Sequence, residues 1–299
     1  MKYKLTDETM TTKSGVVLHR IECVTAFSNL KVGDKGGYIE KESNLSQLGN
    51  AWVYDNALVC DNAKVCDNAK VYDNALVCDN AKVYGNAKVY GNAEVYDNAL
   101  VYENAKVYGN AKVFENALVY GNADVCGNAW VYDNALVYGN ADVYGNAKVF
   151  ENAKVYGNAW VYDNALVYEN AKVYGNARVY DNADVYGNAK VYENAKVYGN
   201  AEVCGNAEVY DNAWVCGNAE VYGNAKVCEK ADYIEFKNWW SSGRFFTWTR
   251  SNNMWRVGCF YGKGEELIAK AYEDSKKSGR EYERVVKYVQ SILDDEKCI

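Results

Sequence analysis

Asn122-Ala123-Asp124-Val125-Cys126-Gly127-Asn128-Ala129-Trp130-Val131-Tyr132-Asp133-Asn134-Ala135-Leu136-Val137-Tyr138-Gly139 is one six-residue word written three times. The word is Asn-Ala-x-Val-(Tyr/Cys/Phe)-(Asp/Gly/Glu). It runs thirty times without insertion from Asn50 to Cys228. A fixed short period is the mark of a repeat architecture, in which each unit buries its apolar face only against its neighbours.

The order of residues within the word decides what faces inward. Side chains of a strand alternate between its two faces. Ala and Val are two apart and share one face, whereas x and Tyr share the other. Position x is charged at Lys64, Asp124 and Arg178, so it faces water. Val and Ala therefore fill the interior, and Tyr is displayed outside. The pair (Asp/Gly/Glu)-Asn carries turn chemistry. Asn is the residue expected to take the left-handed corner conformation, because it tolerates that region better than other non-glycine residues. Stacked Asn side chains can form amide ladders along the axis. The chain has no proline, as a ladder of backbone donors requires.

Three hexads per coil give a triangular prism of 18-residue coils, and thirty hexads make ten coils. At about 4.8 Å per coil the shaft is about 48 Å long. A flattened 12-residue coil competes with this. Cys204, Cys216 and Cys228 align at 12, whereas Cys60 and Cys78 align at 18, so the cysteines leave both open. The pairs Val53 with Ala57 and Val59 with Ala63 resemble the pattern of hexapeptide-repeat proteins, an aliphatic residue followed four positions later by a small one. That resemblance implies an all-β solenoid, the left-handed parallel β-helix. Tyr stands here where that family often has Gly.

Composition narrows the function classes. Net charge is −7. Residues 51–228 carry 13 Lys+Arg against 22 Asp+Glu, so the acidity lies in the repeat. That argues against duplex DNA as a ligand, because phosphate binding needs a positive surface. A mimic of acidic DNA fits poorly too, since duplex DNA carries one charge per ~1.7 Å. Seven of the ten cysteines replace Tyr in the word, and no Cys/His spacing is that of a zinc site; no metal or cofactor is expected. The sequence has neither a charged-then-apolar leader nor an apolar run of transmembrane length, so a cytoplasmic protein without membrane contact is expected. Tyr rows on the outside give self-association a plausible surface, although mutual ring stacking explains them more simply.

The flanks differ from the shaft, giving an expected N-terminal β cap (1–49), a β-helix (50–231) and a small C-terminal α+β domain (232–299). Capping is needed because bare solenoid ends expose strand edges. In the first segment, strands are expected at Val16–Val24 and Val32–Ile39. Ile39 and Leu45 count into the Ala register, Asn44 into the Asn register, and the first coil starts near Gly37. In the last segment, strands Phe245–Arg250 and Trp255–Tyr261 flank a turn at Ser251-Asn252-Asn253. A helix follows from Gly262 to about Lys277, broken at Ser278-Gly279, and a second runs from Glu281 to Leu293.

This last segment is the richest chemically. Trp239, Trp240, Phe246, Trp248 and Trp255 interleave with Arg244, Arg250, Arg256 and Lys263. Aromatic and basic residues together can stack on and neutralise a nucleotide. Gly262-Lys263-Gly264 at a helix start offers a weak phosphate signal. Alternatively the aromatics form the domain's core. Leu18-His19-Arg20-Ile21, Lys31 to Glu40 and Trp248 to Gly262 resemble the ends of hexapeptide-repeat proteins from phages and prophages of Gram-positive bacteria. The resemblance implies a phage-associated accessory protein with no assigned activity.

A non-catalytic scaffold or binding protein is therefore expected, its partner a host protein or a nucleotide, with a counter-defence role among the uses of such binding. The competing expectation is an acyltransferase, since many left-handed β-helix proteins transfer acyl groups with a His base at a looped-out cleft. The sole His here is His19, outside the shaft, and no loop interrupts residues 51–228.

Overall fold

The computed structural model describes residues 1–296. Strands β1 (Tyr3–Thr11), β2 (Val17–Cys23) and β3 (Lys35–Ile39) form the N-terminal cap. Thirty two-residue strands follow, β4 (Trp52–Val53) through β33 (Lys226–Val227). Each is the x-Val pair of one hexad. Every third strand pairs in parallel at a step of 18 residues, as Val89 with Val107 and Val95 with Val113. The coil is thus triangular and has 18 residues, and the flattened 12-residue coil is excluded. The solenoid has about 11 turns, because the chain between β3 and β4 adds one to the ten of the regular repeat.

Shaft valines and alanines are fully buried. Each buried valine contributes roughly 1.5–3 kcal/mol relative to exposure. Tyr and Phe stand outside, as parity requires, and their rings stack along the axis. Tyr102 lies 4.8 Å from Tyr120 with planes 4° apart, and Tyr156 lies 4.9 Å from Tyr174 at 2°. Parallel, slightly offset rings at this spacing follow directly from the distance between coils.

The corner differs from the sequence expectation. The left-handed residue is the one before Asn: φ is 52° at Asp55, 58° at Glu103 and 76° at Gly139. The turn closes when Ala57 N–H donates back to Tyr54 C=O at 3.0 Å. A non-glycine residue there costs ~1–2 kcal/mol. The carboxylate brings a compensation that glycine lacks. Asp97 Oδ2 accepts the Glu115 N–H one coil on at 3.3 Å, and Asp73 Oδ2 accepts the Gly91 N–H at 2.9 Å. The Asn is free to do something else. Asn86 Nδ2 donates to Asn104 Oδ1 at 3.0 Å, and Asn122 Nδ2 to Asn140 Oδ1 at 2.9 Å. The expected amide ladder therefore exists, on residues that do not carry the left-handed bend.

At the first coil the register breaks. Ile39 pairs with Val59 and Leu45 with Val65, steps of 20 instead of 18. Both therefore occupy Val places and not the Ala places that counting backwards assigns them. The extra pair is Gln47-Leu48: Ser46 N–H still reaches Val65 C=O before it, and Asn50 N–H reaches Asp67 C=O after it. The bulge serves the cap. Gln47 Oε1 accepts the Lys2 N–H at 2.7 Å, and Lys2 Nζ donates to Ala51 C=O at 2.8 Å. Asn44 does not join the Asn ladder. Its Nδ2 donates to the free carbonyls of Asp61 (3.1 Å) and Ala63 (2.9 Å). Trp52 sits at position x yet is fully buried, because the cap covers it with Tyr3 and Phe27 edge-on.

The far end presents N–H groups, and the C-terminal domain meets them with acceptors. Its sheet is β34 (Tyr233–Lys237), β35 (Phe245–Thr249), β36 (Met254–Val257) and β37 (Phe260–Gly262), all antiparallel. Tyr233 Oη accepts from Cys216, Glu235 from Asn218, Thr247 Oγ1 from Glu220 and Ser251 Oγ from Lys226. Asp232 Oδ2 accepts from Cys228 and Glu229. Helices α1 (Gly264–Asp274) and α2 (Lys276–Glu296) cover the sheet. They part at Ser275 and not at Ser278-Gly279: Ser275 Oγ caps α2 by accepting the Ser278 N–H at 3.0 Å. Gly279 lies inside α2, where any Cβ would strike the Tyr272 ring.

Asp184 stands between Leu166 and Glu202 on one face of the prism. Burial first, then the Glu202 charge, pushes its carboxyl up to about 6. A carboxyl with a folded pKa above its unfolded value of about 4 favours the folded state only when protonated. Its penalty therefore appears as pH rises from about 4 through 6. Asp184→Asn should raise the thermal midpoint at about pH 8 and converge with the wild type near pH 4. Calorimetry at the two pH values checks this.

Candidate functional site

The nine aromatic and basic residues of the C-terminal segment separate into three groups in space. Phe246, Trp248 and Trp255 are buried with Val257, Leu267 and Val289, and form the domain's core. The Trp248 indole N–H donates to Asn253 Oδ1 at 2.9 Å. Their ring faces are packed against protein, as the alternative reading of the sequence has it.

The second group ties the domain to the shaft and its own hairpin. Arg256 Nε donates to Glu220 Oε2 at 2.6 Å, and the guanidinium lies 4.7 Å over the Tyr222 ring. Arg250 is half-buried and its N–H donates to Asp232 C=O at 2.7 Å. Burial alone would raise the Asp232 carboxyl. The N–H groups of Cys228 and Glu229, the Cys228 thiol and the Arg250 charge outweigh it and hold the carboxyl below its usual range. Lys263 Nζ donates to the Asn252 carbonyl at 2.9 Å. Its own N–H is taken by Glu266 Oε2 at 2.9 Å. The start of α1 therefore carries its own acidic cap, Glu265 and Glu266 in the first turn. A cleft of about 290 Å³ beside it is lined by Trp248, Trp255, Lys263, Glu265 and Gln290 among others.

The third group forms a surface turn, with Trp239 and Arg244 exposed and Trp240 half-buried. Trp239, Trp240 and Arg244 belong to the turn between β34 and β35. Buried Asn238 builds that turn. Its Oδ1 accepts the N–H groups of Trp240 and Ser241, its Nδ2 donates to Ser241 and Ser242 hydroxyls, and its N–H donates to Arg244 C=O at 2.7 Å. Trp240 anchors the turn edge-on against Phe246 and Tyr282, at 5.9 and 5.7 Å. Trp239 packs edge-on against Trp240 and is 78% exposed. Arg244 is exposed, lies over Gly258, and edges the groove where the domain meets Glu202 and Glu220 of the shaft. Asn238 was not singled out in the sequence. Its signal is an Asn shortly before Ser-Ser-Gly, in Asn238-Trp239-Trp240-Ser241-Ser242-Gly243, since Asn, Ser and Gly are turn-building residues.

The shaft tryptophans also find partners. Trp214 lies between Lys196 (4.8 Å) and Lys230 (4.1 Å), Trp160 under Arg178 (4.4 Å), and Trp130 under Lys148 (4.7 Å). Trp52, Trp160 and Trp214 share one face of the prism. Cation–ring contacts at exposed sites are worth about 0.5–1 kcal/mol. Charge is also sorted by position. The face holding Lys64, Lys82, Lys154, Lys172, Lys190 and Lys226 has one acid, Glu208. One corner column instead holds seven consecutive acids, from Asp61 to Glu169. Most of the repeat's acids, 15 of 22, therefore stand at corners, and all 13 of its basic residues stand on the flat faces.

Geometry and repeat together define a β-solenoid built on a six-residue repeat, with capped ends. A model of the YdcK β-solenoid repeat matches residues 171–187, inside the shaft. The chain is also 36% identical over 61 residues to a protein of Escherichia coli K12 named uncharacterized acetyltransferase YdcK. That match covers 18% of this chain and 19% of the relative, so the chain spans about a fifth of the relative's length. No helix among the described residues is long and apolar enough to cross a membrane.

The three groups should respond differently to truncation. Trp255→Ala should cost about 3–5 kcal/mol of C-terminal domain stability, as for a buried large aromatic. Trp239→Ala should stay within about 0.5 kcal/mol of wild type. Urea unfolding followed by tryptophan fluorescence separates the two.

Proposed function

We propose that this protein is a non-catalytic binding protein, associated with a phage or prophage, whose stiff shaft carries a recognition turn at its C-terminal end. Trp239 carries the reading. A large aromatic held 78% exposed on a turn with a fixed backbone costs little entropy to bury against a partner. Trp240 anchors it from below, and Arg244 supplies a charge on the same turn. A host protein or a nucleotide matches this pairing of an aromatic face with a guanidinium. The likeness of both end segments to phage-encoded hexapeptide-repeat proteins supports the phage association, and counter-defence is the use such an accessory protein would have. The uniformity of the shaft supports a spacer. Its corner carboxylates, amides and rings are engaged largely with the neighbouring coil.

Acetyl transfer is the second reading, and the name of the YdcK relative favours it. Against it, His19 Nδ1 lies 3.1 Å from the Thr6 carbonyl oxygen in the N-terminal cap, remote from the C-terminal clefts. A base near neutral pKa belongs beside an acyl acceptor.

Deleting residues 232–299 would uncover the last coil's N–H groups, so point variants make the cleaner test. Immobilised wild-type protein should retain a partner from host lysate, or show a thermal shift with nucleotides, and Trp239→Ala with Arg244→Ala should lose it. Wild type that does neither sinks the proposal. Acetyl-CoA turnover is expected at background, with His19→Ala indistinguishable; turnover that His19→Ala abolishes would establish the second reading.

A further inference from the structure

Cys60 and Cys78 are the one place in the shaft where cysteines occupy the aromatic position of a column in successive coils. Both sulfurs and an Asp61 carboxylate oxygen lie within 4.8 Å of one another. Cys60 is buried beneath Leu18 and Tyr38 of the N-terminal cap, whereas Cys78 and Asp61 are half-buried and open to solvent on one side. The Cys78 thiol contacts both Cys60 and Asp79, with Oδ2 of the latter at 3.5 Å. Glu40 precedes Cys60 in the same column, and its carboxylate holds the Asp61 N–H.

We propose that Cys60, Cys78 and Asp61 bind a thiophilic divalent cation of the zinc class, with Asp79 or water completing four donors. The spacing supports a metal over a disulfide. Side chains in register on neighbouring parallel strands are held about 4.8 Å apart at their roots, whereas a disulfide needs its Cβ atoms at about 3.8 Å. Two thiolates each 2.3 Å from a tetrahedral ion stand about 3.8 Å apart, a separation the sulfurs reach by rotation alone. Two thiolates and a carboxylate select zinc-like ions over magnesium or calcium. Binding releases the two thiol protons to solvent, so affinity rises with pH. The ion ties the first two coils together directly under the cap, and binding to the folded state alone raises its stability.

The pair could instead be small merely to make room for the cap, and the experiment separates the two. Reduced full-length protein is titrated with Cd²⁺ and with Co²⁺, following thiolate-to-metal absorption, heat and the thermal midpoint. One equivalent per chain is expected, with proton release and a raised midpoint. All should be lost in Cys60→Ser and Cys78→Ser, weakened in Asp61→Asn, and unchanged in Cys204→Ser, a solitary cysteine farther along the same column. Circular dichroism confirms each fold. If the serine variants do not fold, Cys78→Ala, at the more open position, is scored in their place. Absence of the absorption in reduced wild type overturns the site, as does an unchanged equivalent in a folded Cys78 variant.

Discussion

Each coil of the shaft rests on one recurring backbone bond, from the N–H of a residue to the C=O seventeen positions later, as Leu58 to Ala75 and Cys60 to Val77. Because the word has six letters and the coil three words, that bond places every residue above another of its own kind. Valine stacks on valine, asparagine on asparagine, ring on ring. The consequences follow by geometry. Ring stacking at about 5 Å, amide ladders and corner carboxylates that reach the next N–H all repeat one spacing. Side chains that would be mediocre partners once become a lattice when repeated ten times.

The same bond also leaves two unlike ends. Carbonyls are left over at the first coil and N–H groups at the last. Lys2 and Asn44 bring donors to the one, and Asp232, Glu235, Thr247 and Ser251 bring acceptors to the other. The caps are therefore not interchangeable. Each is the chemical complement of the edge it covers. This explains why residues without any repeat pattern sit in fixed register against residues that have nothing else.

Periodicity made the shaft legible because two-residue alternation and six-residue repetition are properties of sequence alone. The inward Val and Ala, the outward Tyr and the Asn ladder all follow from it. The left-handed residue did not, because Asp, Gly and Asn are each plausible there by propensity; only the laddered Asn amide reveals which neighbour must bend. The bulge at Gln47-Leu48 was hidden for another reason. Counting backwards in sixes carries the register through an insertion whose purpose lies in Lys2 and Tyr3, more than forty residues away. The burial of Trp52 was illegible likewise, since position x faces water everywhere that the cap does not reach. In the C-terminal segment, composition marked the right region but mixed three roles. Phe246 and Trp239 are both aromatic, and only the fold shows that one is core and the other surface.

Charge teaches the same lesson on a larger scale. A count over the repeat gives an acidic shaft, and from it a single argument against anionic partners. In three dimensions most of the acids stand in corner columns, where a carboxylate can take up the N–H of the next coil, and half of the lysines stand on one flat face. The argument against a DNA groove still holds for the corners. For the lysine face it does not follow from net charge, because potential at a surface is set by the charges on that surface and within about 10 Å of it at ordinary ionic strength. Beside that face runs a stacked tyrosine column from Tyr84 through Tyr102, Tyr120 and Tyr138, in which Tyr102 and Tyr120 have ring partners above and below. A ligand could reach ring edges there but not ring faces. An unpaired aromatic face, by contrast, is what the turn at Trp239 offers, and it lies where the lattice has stopped repeating.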